Sequence, residues 1–138
     1  MATTFRDLIV WRRAVDWTVS VHRATKTFPK DEVWGLTGQL RRSAVSVPSN
    51  IAEGHGRLTT QEFKQYLGIA RGSLREAETQ LEIATRLGYG RPEALEALID
   101  EAQQMGRMLS SLIATIREQT SVPAVRARSS KLEARSSS

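Results

Sequence analysis

The sequence predicts an all-α chain, an antiparallel up-down-up-down four-helix bundle, on three observations. Apolar residues recur at three- and four-residue spacings through four separate stretches. Helix stop and start signals (Phe28-Pro29, Gly54 to Thr59, and Gly88 to Pro92) divide those stretches. No strand-type alternation of useful length occurs anywhere. Short connections make consecutive helices antiparallel neighbours.

The first stretch runs from about Asp7 to Lys26 and carries two apolar lines. Leu8, Trp11, Val15, Thr18 and His22 form one, which is expected to face the core. Val10, Ala14, Trp17 and Val21 form a second, roughly a quarter turn away. Two apolar faces exceed the needs of a four-helix monomer, so the second line is expected to be an oligomer interface. His22 reads as a satisfied interior histidine. Pro29 forces Phe28 out of the helical region and ends the helix.

The second helix is expected to start near Asp31 as its N-cap and to stop at Gly54 or Gly56 in a left-handed C-cap. Leu36, Leu40, Ala44, Val47 and Ile51 make its apolar stripe. Pro48 sits inside it, which removes the intrahelical partner of the Ala44 carbonyl and predicts a kink. Thr59-Thr60-Gln61-Glu62 reads as a capping box that opens the third helix. Its core line is Phe63, Leu67, Ala70, Leu74, Ala77, Leu81 and Ala84. Gly88 and Gly90 close it, and Pro92 opens the fourth at its first position. There Leu95, Leu98, Ala102, Met105, Leu109, Leu112 and Ile116 keep a strict alternation, with Ile99, Gly106 and Ile113 alongside.

The periodicity fades after Ser121-Val122-Pro123. Residues 1–120 are therefore expected to form one bundle domain, and residues 121–138 a disordered, basic Ser/Arg-rich tail. The net charge of +5 divides as +2 in the body (16 Lys/Arg against 14 Asp/Glu) and +3 in the tail. A body so close to neutral argues only weakly for nucleic acid. Cysteine is absent, which excludes disulfides, thiolate chemistry and cysteine-ligated metal, and fits a cytoplasmic protein. Neither a signal peptide nor a membrane-length apolar run is visible, so no membrane partner is expected.

Beside the apolar stripe of the second helix runs a polar line: Gln39, Arg42, Ser46, Asn50 and Glu53. The third helix carries a mixed line of Ile69, Ser73, Glu76, Gln80 and Ile83. A hairpin turning near residues 57–58 sets Arg42 opposite Ser73 and Gln39 opposite Glu76. One turn of slack lets Arg42 reach Glu76. The expectation is a buried polar network of Gln39, Arg42, Ser46, Asn50, Glu53, Ser73, Glu76 and Gln80, with an interior Arg42–Glu76 pair. A ligand or catalytic site built from the same residues is the less favoured alternative.

Signatures of specific chemistry fail. The Glu-x-x-His repeats of di-iron bundles are missing, and Gly88-Tyr89-Gly90 is a helix stop rather than a phosphate loop. Ser46 and Ser73 have no histidine at a helical spacing to activate them. No enzymatic activity, cofactor, metal or small-molecule substrate is expected.

The run Val45-Ser46-Val47-Pro48-Ser49-Asn50-Ile51-Ala52-Glu53-Gly54, followed by Gly56-Arg57, resembles the signature of the 23S rRNA-intervening-sequence four-helix-bundle proteins. Phe5-x-x-Leu8-x-Val10-Trp11 is similar to that family as well. So are Phe28-Pro29-x-x-Glu32, Leu36-Thr37-x-Gln39-Leu40-Arg41-Arg42 and Ala70-Arg71-Gly72-Ser73-Leu74-x-Glu76. The agreement spans about residues 5–116, with Val33-Trp34 and His22 standing where the family often has tyrosine.

The resemblance implies a bacterial bundle protein that assembles as a ring-like homopentamer and has no established enzymatic activity. A related branch, the accessory proteins of diversity-generating retroelements, binds nucleic acid and a reverse transcriptase through a far more basic surface. Two functional readings follow. The first is a non-catalytic homo-oligomeric scaffold, expected as a pentamer and associated with rRNA intervening sequences. The second is an RNA- or DNA-binding module using Arg12, Arg13, Arg23 and the tail's Arg126, Arg128, Lys131 and Arg135.

Overall fold

A computed structural model of the chain describes residues 4–121, with side chains through residue 116. It contains α1 (Ile9–Ala24), α2 (Leu36–His55), α3 (Thr60–Arg86) and α4 (Pro92–Ser121). Short 3-10 turns at Phe5–Asp7, Thr25–Thr27 and Lys30–Trp34 lead into and between the first two helices. No strand occurs among the described residues. The predicted tail, with Arg126, Arg128, Lys131 and Arg135, lies outside them apart from Ser121, where α4 ends.

Each helix packs against its chain neighbours, and α1 meets α4 to close the square. Cross-helix hydrogen bonds show the antiparallel order. Thr18 of α1 meets Ala44 of α2, Ser46 of α2 meets Ser73 of α3, Arg71 of α3 meets Ser110 of α4, and Trp17 of α1 meets Leu98 of α4.

The apolar lines of α2, α3 and α4 go where their periodicity sends them. Leu40, Ala44, Val47 and Ile51 meet Leu67, Leu74 and Leu81, and Leu95, Met105 and Leu109, in one cluster. Phe63 and Leu112 sit half-buried at its edge.

The assignment on α1 is corrected. Val10, Ala14, Trp17 and Val21, expected as an oligomer interface, are 0–4% exposed and belong to the bundle core. Trp17 decides the matter, because its indole Nε1 donates to the Leu98 carbonyl at 3.0 Å in the interior. The other line flanks the core. The Trp11 ring stacks edge-on against Phe5 at 5.0 Å, and Thr18 faces α2. Trp34, at the end of the turn before α2, stands in solvent.

Helix ends differ from expectation in two places. Asp31 is not the cap of α2; it lies in the 3-10 turn begun by Pro29, and the Glu32 carboxylate takes the Leu36 amide at 3.0 Å instead. Gly54 and Gly56 do not supply a left-handed cap, since neither has positive φ. Gly54 is interior to α2, and a Cβ there would lie 2.5 Å from Tyr66 Cβ and 3.2 Å from the Phe63 ring. It is a close-approach glycine that lets α3 cross tightly over α2.

The end of α3 is as predicted. Gly88 (φ +78°) follows the helix, Tyr89 donates its amide to the Ala84 carbonyl and Gly88 to that of Thr85, a Schellman arrangement. At the start of α3 the Thr59 hydroxyl accepts from the Glu62 amide.

α2 runs without interruption through buried Pro48. The Ala44 carbonyl that Pro48 cannot serve lies 3.0 Å from the Thr18 hydroxyl of α1, which is also 2.8 Å from the Ala14 carbonyl. Thr18→Val should therefore cost about 1–3 kcal/mol, the cost of a stranded buried carbonyl. In a Pro48→Ala background the loss should shrink, because alanine at that position restores an amide donor. A double-mutant cycle by chemical denaturation tests this, and equal losses in both backgrounds would remove the assignment. Gly54→Ala should lower stability by a further ~1–3 kcal/mol through overpacking against Tyr66.

Candidate functional site: the polar groove between the second and third helices

The polar lines of α2 and α3 do come together, but one helical turn away from the expected register and at the surface. Ser46 Oγ lies 2.8 Å from Ser73 Oγ, whereas the expected register set Arg42, one turn earlier, opposite Ser73. The shift arises in how the two helices pack and not in where the hairpin turns. α2 ends at His55 and α3 starts at Thr60, so the turn is centred on residues 57–58 as expected, and the offset is instead already present where Gly54 approaches Tyr66.

The two lines wall a shallow groove of about 310 Å³, lined by Gln39, Arg42, Ser43, Ser46, Ser73 and Glu76. Within it Asn50 Nδ2 donates to Ser46 Oγ at 2.9 Å and to the Ser46 carbonyl at 2.8 Å. Asn50, Ser46 and Ser73 thus form one hydrogen-bonded chain, in which either hydroxyl can donate to the other.

The expectation of a buried network with an interior ion pair is corrected. Gln39, Arg42, Glu53 and Glu76 are exposed, Ser46, Asn50 and Ser73 are half-buried, and only Gln80 is buried. Arg42 and Glu76 make no ion pair within 4 Å. Helical spacing places residues on a face but does not set depth, and long charged side chains at the edge of a face reach water. Gln80 Oε1 is buried without a hydrogen-bond partner.

Glu53 belongs to a separate cluster at the hairpin end. Its carboxylate pairs with Arg57 at 2.8 Å and lies 3.4 Å from the Tyr66 hydroxyl, while the Arg57 guanidinium stacks 4.7 Å from the Tyr66 ring. Charge interaction with Tyr66 foremost, then the hydrogen bond to its phenol oxygen and the Glu53 carboxylate, favour the charged guanidinium and raise the Arg57 pKa against a smaller opposing effect of burial.

The groove presents hydrogen-bonding groups: the Ser46 and Ser73 hydroxyls, the Gln39 amide and the charged ends of Arg42 and Glu76. The amide of Asn50, which donates to Ser46, cannot take a proton from serine. His22 is not among the groove's lining residues, and its Nδ1 lies 3.2 Å from the Thr18 carbonyl. No group of three or more potential metal ligands occurs among the described residues.

The arginines named for nucleic acid divide. Arg12 is exposed, its guanidinium donating to the Arg6 carbonyl at 3.0 Å, and Arg23 is exposed on α1. Arg13 ties α1 to α4 instead, donating to Gln104 at 2.9 Å and to the Met108 sulfur at 3.4 Å, with Glu101 3.5 Å away.

Sequence reasoning missed two further ties. Arg41 donates from Nε to the Thr25 hydroxyl at 2.8 Å and from Nη2 to the His22 carbonyl at 3.2 Å. Glu32 accepts from the Tyr89 hydroxyl at 2.8 Å, which joins the turn before α2 to the loop before α4. The Phe28-Pro29-x-x-Glu32 spacing was the visible signal for the second.

A family model for the 23S rRNA-intervening sequence protein matches residues 6–111. The chain belongs to that family. The matched span takes in α1, α2 and α3 whole and α4 through Ser111, so both walls of the groove are family sequence. No curated protein matched the chain. No helix among the described residues of this family member is long and apolar enough to cross a membrane.

Because Arg42 and Glu76 face solvent, Glu76→Gln should change stability by less than ~0.5 kcal/mol in chemical denaturation, as is usual for surface substitutions. A loss of several kcal/mol would instead indicate a desolvated pair. Glu32 predicts the acid behaviour. Donation from the Leu36 amide first, and from Tyr89 second, lowers its pKa below the ordinary carboxylate value. Its contribution is thus fully present above the unfolded-state pKa near 4.5 and lost as pH falls through the lower folded value. Glu32→Gln should flatten that part of the stability profile, measured by thermal melts from neutral pH to about pH 3.

Proposed function

We propose that the protein is a non-enzymatic, self-assembling bundle, a ring-like homo-oligomer that serves as a scaffold in association with rRNA intervening sequences. The observation that carries this reading is the outer face of α2 and α3. Ile69 (50% exposed) and Ile83 lie on the same line of α3 as Ser73 and Glu76, and Val45 adjoins Ser46 on α2; all three apolar side chains are exposed. Apolar residues set around hydrogen-bonding groups that are only partly satisfied make a surface suited to another protein surface.

The assembly surface thus moves from the α1 line, which the core consumes, to this face. A ring requires a head-to-tail contact, so this face meets a different surface of the next subunit. The five-fold count rests on the family resemblance alone. Ile69→Glu should give smaller particles with helicity retained, read by light scattering and circular dichroism. Trp17→Glu should instead unfold the bundle. A wild type already monomeric at micromolar concentration would defeat the reading.

The nucleic-acid reading rests on exposed Arg12 and Arg23 together with the basic residues beyond 121. It calls for binding that weakens as salt rises, by about 0.7–0.9 in the log–log slope for each phosphate contact. Undetectable binding to RNA and DNA at low salt would leave the scaffold alone.

A further inference from the structure

α1 and α3 stand at opposite corners of the square, so their outer faces point away from each other. Each carries apolar side chains that its own bundle leaves in water. On α1 these are Ile9, 61% exposed, and Val19, 42% exposed. On α3 they are Ile69 and Ile83, which belong to the assembly face. Three- and four-residue steps set Ile9, Arg12, Asp16, Val19 and Arg23 on one side of α1, away from its core line. The same spacing sets Gly68, Ile69, Gly72, Arg75, Glu76 and Ile83 on one side of α3.

The charges on the two faces are complementary. Asp16 and Arg23 are exposed on α1, and Arg75 and Glu76 on α3. None of the four is in an ion pair within 4 Å among the described residues. Two hydrogen bonds give their heights along the bundle. Thr18 lies against Ala44 of α2, and Ser46, two residues on, lies against Ser73 of antiparallel α3. Thr18 therefore stands at about the height of Arg75. α1 and α3 run in the same direction, and a ring closed about an axis along the bundles holds its copies at equal height. At that height Asp16 comes within about 3 Å of the level of Arg75, and Arg23 stands about one helical turn from Glu76. Unlike charges meet at both places.

Shape agrees with charge. A Cβ at Gly68 or Gly72 would meet nothing within 4 Å, so packing inside one copy gives no reason for glycine there. Glycine is a poorer helix former than alanine, and its bare backbone lets another helix come close.

We infer that the assembly face on α3 receives the outer face of α1 from a second copy, with the two bundles side by side at equal height. This pairing rests on the chain assembling through the α2–α3 face, and it names the surface of the neighbour that the face takes. Because the two faces lie on opposite sides of one bundle, the contact is head-to-tail and each copy binds two neighbours.

Light scattering on the full chain, with circular dichroism for helicity, tests the pairing. Val19→Glu and Ile69→Glu should each be monomeric and helical. Their equimolar mixture should give one-to-one dimers and nothing larger, because only one intact contact remains between them. At low salt, Asp16→Arg and Arg75→Asp should each raise the concentration needed for assembly about tenfold, since like charges then meet. Both changes in one chain should restore wild-type assembly, which a folding defect could not do. Unchanged particle size in Val19→Glu, with Ile69→Glu dissociated, would overturn the pairing and leave the assembly face itself standing. If Val19→Glu keeps its size and loses salt-sensitive RNA binding, the α1 face belongs to nucleic acid, which overturns the pairing as well. A monomeric wild type would remove the assembly reading and the pairing together.

Discussion

One missing amide organises the bundle. Pro48 has no N–H for the Ala44 carbonyl, and an interior carbonyl has to find a donor elsewhere. The donor is Thr18, on another helix. Thr18 shares its one proton between that carbonyl and the Ala14 carbonyl of its own helix, and the contact lies on the side of α1 that faces α2. Trp17 then enters the core with its indole nitrogen on Leu98, and Arg41 closes the junction at the far end of α1 by holding Thr25 and His22. The polar line of α2 is left on the α3 side by elimination. The tight crossing at Gly54 brings α2 and α3 together at one end.

Arginine is abundant in this chain, and the fold shows where much of it goes. Arg13 joins α1 to α4, Arg41 joins α1 to α2, Arg57 joins the α2–α3 turn to Tyr66, and Arg71 joins α3 to Ser110 of α4. Each uses the planar fork to reach neutral oxygens or a ring as well as carboxylates. These side chains serve as interhelical ties more than as a uniform basic surface. The composition alone could not distinguish those two uses.

The sequence made the four helices, their order and the core lines of α2, α3 and α4 legible, because each has one dominant apolar stripe and periodicity then determines the inside. α1 has two, and choosing between Trp11 and Trp17 depended on a partner carbonyl 81 residues away. The polar groove was legible as a set of facing lines but not in its register or depth. Register needed the tight packing of α3 on α2, seen where Gly54 approaches Tyr66, which the position of the turn does not carry. Depth needed the reach of Arg42 and Glu76, which spacing does not carry.

The three tryptophans occupy three depths: Trp17 is enclosed, Trp11 half-covered, and Trp34 89% exposed. That spread makes the chain a graded optical instrument. A collisional quencher in the solvent reaches Trp34 freely, Trp11 in part and Trp17 only when the bundle opens. The fold therefore carries separate intrinsic reporters for surface occupancy and for core integrity, so association and unfolding are separable within one emission spectrum without any added label.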